Sequence, residues 1–345
     1  MTRMRVSVII PALNAEATLQ ICLGAVLTQT RPPDEVIVVD NGSTDRTRTI
    51  VEDFPYRREL IRLFHEEQRG QVRARNRGVA ESTGEILVFT DADCVPDPRW
   101  LELLIAPFQA DCTLDAVAGK VTGHDPKTFI QRAISVTSFP APEHARTLRG
   151  LAFPPVTFYT GNFAVRRRGL TVIGGFDERL WIMEDVDLCC RLLRHGRIQY
   201  IPEACVGHIQ HDSLRKVIRR QFQYGTGLPA IFRKHYPDGA WLTLPGRRVI
   251  SLPGPLRPCW VSLASPDRVL TLLALGAVWQ PWVAFLGGLY LLRIGQRLYR
   301  TARSRGVPIA PWELPFLTAI HVGEFTAFSA GCLIGAVRNR ILCIA

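Results

Sequence analysis

Short β-branched runs alternate with helix-like stretches through the first hundred residues, and no other feature restricts the fold as tightly. RVSVII, AEATLQICLGAVLTQT, EVIVVD, a helix led by Thr44-Asp45, LIRLF and EILVFTDAD follow one another. Such alternation predicts an α/β fold, with parallel strands joined by crossover helices. In the first helical stretch Leu19, Cys22, Leu23, Val26 and Leu27 recur at the spacing of one helix face, a stripe suited to lie on a sheet. EVIVVD and EILVFTDAD both end in Asp. Open α/β sheets take their ligands beyond the carboxyl ends of the strands, so these acids are expected at a binding site.

From about residue 106 to 240 the pattern is less regular, with strand-like AVAGKVT, GNFAVR and IQYIP around a helix at DVDLCCRLLRHG. This stretch reads as the second half of the same domain, giving expected boundaries of 1–236. Prolines 237, 245, 253, 255, 258 and 266 then mark 237–268 as a linker without regular elements. In the remaining 269–345, Val269 to Leu292 carries no charge and Leu314 to Val337 only His321 and Glu324. At about 1.5 Å per residue each is long enough for about 30 Å of hydrocarbon, so this part is expected to associate with membrane lipid. Gln280-Pro281 divides the first segment into halves too short to span, as in a re-entrant hairpin. A hairpin would keep Arg293, Arg297, Arg300, Arg303 and Arg305 on the cytoplasmic side, in line with the positive-inside tendency. The competing reading is a soluble protein in which both segments pack as buried helices.

Forty-two Lys plus Arg against 31 Asp plus Glu give a formal charge of +11, which favours phosphate-bearing ligands or an anionic lipid surface. The basic residues are scattered, without an aromatic-interleaved stripe or zinc-finger spacing, so no nucleic acid is expected as a partner. None of the nine cysteines forms a C-x-x-C pair, which fits a reduced, cytoplasmic domain, and Cys189 and Cys190 read as small core residues of a helix. The apolar run before Pro11 is too short for the core of a signal peptide.

Asp91-Ala92-Asp93 follows a buried-type run, so two carboxylates emerge at a strand end with Ala92 facing the other way. Hard oxygen donors with room for diphosphate oxygens suit Mg²⁺ or Mn²⁺, and a solvated turn is the plainer alternative. Asp40 precedes Asn41-Gly42-Ser43-Thr44-Asp45, a turn and helix cap in its own right; its carboxylate is placed to accept from a base or ribose. Gly70, Arg73, Arg75 and Asn76 lie on or just before the next helix, where Arg forks match phosphate geometry, although several of the arginines from 69 to 77 will be plain surface. Glu184 and Asp185, after Trp181, open a helix. Acids are favoured there electrostatically, and the same pair would serve as a base for an acceptor hydroxyl. His208 is a candidate to complete a metal site, His211 less so.

The series VSVIIPALNAE, EVIVVDNGSTD, GQVRARNRG, GEILVFTDADC, TGNFAVRR, GGFDERLWIMEDVDLCCRL and GH, in this order, closely resembles the family 2 glycosyltransferases of the GT-A fold over roughly residues 5 to 225. The resemblance implies a Rossmann-like mixed sheet flanked by helices and a nucleotide-diphospho-sugar donor bound with a divalent metal, Mn²⁺ or Mg²⁺. It implies a nucleotide-site loop at Pro11 and Asn14, a base contact at Asp40, an Ala-Arg-Asn element at Arg75 and Asn76, and Asp91 and Asp93 as the ribose and metal-diphosphate pair. Asp185 would be the catalytic base, with Glu184 beside it, in one inverting displacement. Since an Asp of ordinary pKa, about 3.9, is a weak base for an alcohol, proton transfer is expected late. Processive members such as cellulose and chitin synthases carry Gln-x-x-Arg-Trp where this chain has Gln221-Phe222-Gln223-Tyr224-Gly225, which argues against polymer synthesis. A glycan or lipid-linked acceptor is the expectation. The rivals are a catalytically silent membrane scaffold, opposed by the intact acids, and a nucleotidyltransferase, opposed by the lack of a Gly-rich phosphate loop followed by Lys.

Overall fold

The computed structural model describes residues 3–54, 59–140, 142–245, 248–252 and 258–344. In chain order they form β1 (Val6–Ala12), α1 (Leu19–Leu27), β2 (Glu35–Asp40), α2 (Thr47–Glu52), β3 (Ile61–His65), α3 (Gln71–Glu81), β4 (Ile86–Phe89), β5 (Cys94–Pro96), α4 (Trp100–Ala110), β6 (Ala116–Gly123) and α5 (Phe129–Thr137). There follow β7 (Arg146–Arg149), β8 (Phe163–Arg166), α6 (Arg167–Val172), α7 (Glu184–His195), β9 (Arg197–His208), α8 (Leu214–His235), β10 (Ala240–Leu244), β11 (Arg248–Leu252), β12 (Cys259–Ser262), α9 (Pro266–Trp279), α10 (Val283–Ser304), α11 (Leu314–Asn339) and β13 (Leu342–Ile344). The chain divides into two compact units, Met1–Asp125 with Phe139–Ile209, and Pro126–Ser138 with Gln210–Ala345.

The first unit holds a mixed sheet in the order β3-β2-β1-β4-β8-β6-β9-β5, with β7 also paired to β9. β1, β2, β3 and β4 are mutually parallel, and β8 runs antiparallel to β4 and β6. Both faces of the parallel part are covered, which is why its strands read as unbroken apolar runs. Val8 and Ile10 of β1 pack in one cluster with Leu19, Leu23 and Val26 of α1 and Trp100, Leu104 and Phe108 of α4. Ile9, between them, faces the opposite cluster with Val72 and Ala74 of α3 and Leu188, Cys189 and Leu192 of α7. The expected stripe on α1 is the buried set of that helix, and Cys189 and Cys190 are both buried. The chain order reverses between β1 and β4, so their carboxyl ends border the crevice in which such sheets place a ligand.

In the second unit α8 and α11 run parallel at very close range. A Cβ on Gly225 would stand 2.0 Å from the Phe328 carbonyl oxygen, and one on Gly331 2.1 Å from that of Phe222. Ala133 and Val136 of α5 pack with Ile294 and Leu298 of α10 and Leu317 of α11. This grouping differs from the division read from sequence: residues 126–138 and α8 belong with the C-terminal elements. The stretch 237–268, expected to lack regular structure, contains β10, β11 and β12, which with β13 form a four-stranded sheet. Pro237 precedes β10, Pro245 and Pro258 fall between strands, and Pro266 is at the first turn of α9, positions where a missing N–H disturbs no ladder; Pro253 and Pro255 lie outside the described residues. The first apolar segment is indeed two helices, α9 and α10, interrupted at Gln280 to Trp282. Pro311–Asn339 is, among the described residues, the one helical stretch long and apolar enough to cross a membrane, with a mean hydropathy of 1.4.

Candidate active site

Asp91 and Asp93 would share one side of an extended chain, but β4 has ended and the chain turns here, with Cys94 N–H donating to the Asp91 carbonyl at 3.0 Å, so the two carboxylates diverge. Ala92 is buried in the cluster with α1 and α4. Asp91 turns inward: Oδ1 accepts from Arg75 Nη2 at 2.9 Å and Gln71 Nε2 at 3.3 Å, and Oδ2 from the Tyr159 hydroxyl at 2.8 Å. Arg75, its side chain only 1% exposed, is the hub, for its Nη1 donates to Glu184 Oε1 at 2.8 Å. Burial works against the guanidinium charge, but Asp91, Glu184 and Asp185 outweigh it and hold Arg75 above its ordinary pKa.

Glu184 and Asp185 form the first turn of α7, which is entered through Met183 in the left-handed conformation, φ 65°. A non-glycine residue pays strain of roughly 1–3 kcal/mol to sit there, and it turns both carboxylates onto the positive end of the helix. Asp185 Oδ1 accepts from Thr160 Oγ1 at 2.7 Å. Burial, reinforced by the charge of Glu184, pushes the Asp185 carboxyl up to about 7, against the opposing pull of Arg75 and Thr160. The ordinary value taken from sequence therefore does not hold, because dense packing and a like charge disfavour the ionised form.

Asp93 faces outward, its side chain 31% exposed, with Oδ2 3.4 Å from Nε2 of His208, the last residue of β9. Cys94 pairs with His208 across β5 and β9, which fixes this approach, and the imidazole lies against the rings of Phe139 and Tyr159. One carboxylate and one imidazole are a partial donor set, and among the described residues no group of three His, Cys, Asp or Glu is placed to hold a metal. Such a set fits a cation whose remaining positions are filled by diphosphate oxygens.

The other expected residues lie around this centre in supporting positions. Asp40 ends β2 with a side chain 1% exposed, accepting from Ser43 N, Arg48 Nε and His65 Nδ1 at 3.1, 2.7 and 3.1 Å. Burial opposes its charge, yet Ser43 and Arg48 hold its carboxyl below the ordinary value. Pro11 is buried in β1 opposite Val39. Asn14, with φ 50°, ties that strand end to the next loop: its N–H donates to Ser43 Oγ and its Oδ1 accepts from Thr44 N, both at 2.9 Å. Asn76 spends its amide on Phe176 N, Phe176 O and Glu178 and so pins the Gly174–Glu178 loop to α3. Arg73 and Arg77 pair with Glu178 and Glu81, as expected of surface arginines. His211 is exposed and falls in the second unit, and Trp181 is exposed just ahead of Glu184.

Three residues of the centre escaped the sequence reading. Tyr159 and Thr160 contact Asp91 and Asp185. Thr160 lay inside the quoted TGNFAVRR, one residue ahead of the strand-like GNFAVR, and no role was assigned to it. Gln71 sits one helical turn before Arg75, so a helical wheel centred on Arg75 would have found it.

The model of the family described as Glycosyl transferase family 2 matches residues 7–173. Glycosyltransferase AglE of Haloferax volcanii is 33% identical over 227 residues, 64% of this chain and 72% of that protein. Probable glycosyltransferase YdaM of Bacillus subtilis is 29% identical over 65% of this chain and 55% of its own, so this chain spans only about half of that relative. Among solved structures, the mannosyltransferase PcManGT from Pyrobaculum calidifontis in complex with GDP-Man and Mn²⁺ superposes with a TM-score of 0.56 at 22% identity, covering 96% of this chain and 88% of that one. S. aureus TarS 1–349 in complex with UDP-GlcNAc gives 0.52 at 17% identity, over 98% and 93%. At these identities the two structures speak for the shared GT-A fold.

Proposed function

This chain belongs to glycosyl transferase family 2, and from that premise we propose that it moves a sugar from a nucleotide-diphosphate donor to an acceptor hydroxyl in one inverting, metal-dependent step. The observation that carries the reading is the Arg75 hub, which ties the strand-end acid Asp91 to Glu184, the neighbour of Asp185. It holds the donor-side and base-side carboxylates in one rigid unit, the preorganisation a displacement needs.

In this reading Asp185 takes the proton of the acceptor hydroxyl as its oxygen bonds to the anomeric carbon, and the bond from that carbon to the diphosphate breaks with inversion. A carboxyl pushed up to about 7 is a far better base than an ordinary Asp while remaining ionised in about half of the molecules at neutral pH. Asp93 and His208 would hold Mn²⁺ or Mg²⁺, which when bound would offset the charge developing on the diphosphate. Asp91 would orient Arg75 and accept from the ribose side. Pro11, Asn14 and Asp40 would shape the loops around the base, and Asn76 would keep the 174–178 loop in place.

The mannosyltransferase and TarS complexes named above contain GDP-Man and UDP-GlcNAc, which supports a nucleotide sugar without choosing between guanosine and uridine. Transfer of single sugars is favoured by Gln221 to Gly225 standing where processive members carry Gln-x-x-Arg-Trp. A lipid-linked or cell-envelope glycan acceptor, and a cytoplasmic catalytic unit held at a membrane, are proposed from the apolar C-terminal segments. Asp185→Asn tests the core of the scheme. Calorimetry should show donor affinity retained while transfer is lost, and a parallel collapse of donor affinity would move the base elsewhere.

A further inference from the structure

The second unit contains an element that a water-soluble fold does not explain. No residue of α9 is buried, and none from 271 to 293. No residue from 269 to 292 is charged. Leu275, Val278, Trp279, Trp282, Phe285 and Leu289 are all exposed, Val278 to 80%, Trp279 to 85% and Phe285 to 69%. The foot of this hairpin is fixed. Arg268 donates to Ser262 O at 2.6 Å, Ile344 O at 2.8 Å and Ser329 Oγ at 3.0 Å, clamping α9 to the small sheet and to α11. On the other arm Ile294 and Leu298 of α10 enter the core with Leu317.

We infer that the α9–α10 hairpin inserts into one leaflet of an anionic bilayer and that α11 does not cross it, so that the chain attaches without spanning. This rests on the membrane association proposed above and is independent of the glycosyl-transfer chemistry. Two observations carry it. The uncharged arms, 269–279 and 283–292, measure about 15 to 17 Å at 1.5 Å per residue, half of a hydrocarbon core of about 30 Å. Arg293, Arg297, Arg300 and Arg303 are exposed just beyond the apolar part of α10, where lipid phosphates would meet them. The same arginines, with a net charge of +11 on every chain, make a second copy a poor cover for this face.

The argument against a spanning α11 is its union with α8. Gly225, Gly331 and Gly335 bring the two backbones together along their middle turns, Gly335 within 2.4 Å of the Thr226 carbonyl oxygen for a Cβ. α8 would have to follow α11 into the bilayer. Between Arg220 and Arg233 it has only twelve uncharged residues, about 18 Å, and Arg215, Lys216 and Arg219 are exposed at its start. A helix of that make-up lies along an interface and does not cross it.

The full chain is mixed with vesicles of phosphatidylcholine, with and without phosphatidylserine, and floated on a gradient. It should float, more with the anionic lipid, and Val278→Glu with Phe285→Glu should cut the floated fraction by about tenfold or more. Cysteines are then placed at Trp279, Trp312 and Arg338, with the exposed or half-buried Cys112, Cys205 and Cys259 changed to Ser, and vesicle-bound protein is treated from outside with an impermeant maleimide. Positions 312 and 338, at the two ends of α11, should both react and 279 should be shielded. Reaction at only one of 312 and 338 would show that α11 spans and overturn the inference while leaving membrane binding in place. Failure to float, with light scattering showing a dimer that the two Glu substitutions dissociate, would make the hairpin a contact between copies and overturn the membrane reading with it. Quenching of tryptophan emission by brominated lipid, in the chain without substitutions, provides a check that needs no variant to fold; absence of quenching in floated protein would equally overturn insertion.

Discussion

Replacing Thr160 by Val removes one hydrogen bond from Asp185 and leaves the volume of the site almost unchanged. Thr160 is buried, and its hydroxyl donates to Asp185 Oδ1 at 2.7 Å. That bond favours the ionised carboxylate, so losing it raises the pKa from its already elevated position near 7. A hydrogen bond to a charged group contributes about 1.5–3 kcal/mol, which at about 1.4 kcal/mol per unit is an upward shift of about 1–2 units. The acid limb of the pH–rate profile follows this carboxyl and moves with it. Below that limb the rate follows the ionised fraction, so T160V should transfer sugar about 10- to 100-fold more slowly than the parent in mildly acidic buffer and approach it above about pH 9. The assay is the pH dependence of kcat/KM for transfer. An acid limb that stays where it was, with the rate lowered equally at every pH, would show that Thr160 only packs and that Asp185 is not the titrating base.

Asp93→Ala should abolish turnover that depends on added Mn²⁺ and leave the melting temperature nearly unchanged, since the side chain is 31% exposed; activity preserved at saturating metal would remove Asp93 from the metal site. Arg75→Met leaves Asp91 and Glu184 without their shared partner and should lower stability by about 3–5 kcal/mol in urea unfolding, whereas a loss below about 1 kcal/mol would mean that the hub is not structural. Glu35 is held at about 2 against an ordinary 4.5: burial opposes its ionisation, but bonds from Ser7, Thr83 and Arg62 prevail. A folded pKa below the unfolded one means stability that is present above about 4.5 and lost as pH falls toward about 2, so Glu35→Gln should flatten the acid limb of stability in that window; an unchanged slope in thermal melts would assign it to other acids.

What the sequence determined by itself is whatever a local period or a strand end dictates. Runs such as VSVII and EVIVVD can only be strands covered on both faces, the α1 stripe can only face a sheet, and acids that follow such strands emerge at the ligand edge, as Asp91 and Asp93 do beyond β4, whereas Asp185 was marked only by its place at a helix start. The break of the first apolar segment was equally legible, since Pro281 cannot continue a helix. Tertiary structure alone decided which acids share a partner. Arg75 and Glu184 are 109 residues apart and Thr160 and Asp185 are 25 apart, distances over which no local pattern carries information. It also decided the ionisation of Asp185, which depends on how closely Glu184, Arg75 and apolar atoms crowd it. The strands in 237–268 form only because β12 pairs with both β10 and the last strand of the chain, so the prolines between them looked like a linker until their partners were in place. The pairing of α11 with α8 was likewise beyond the sequence: hydropathy counts the residues of one helix, whereas the close approach at Gly225, Gly331 and Gly335, on which the one-leaflet attachment proposed above rests, belongs to two.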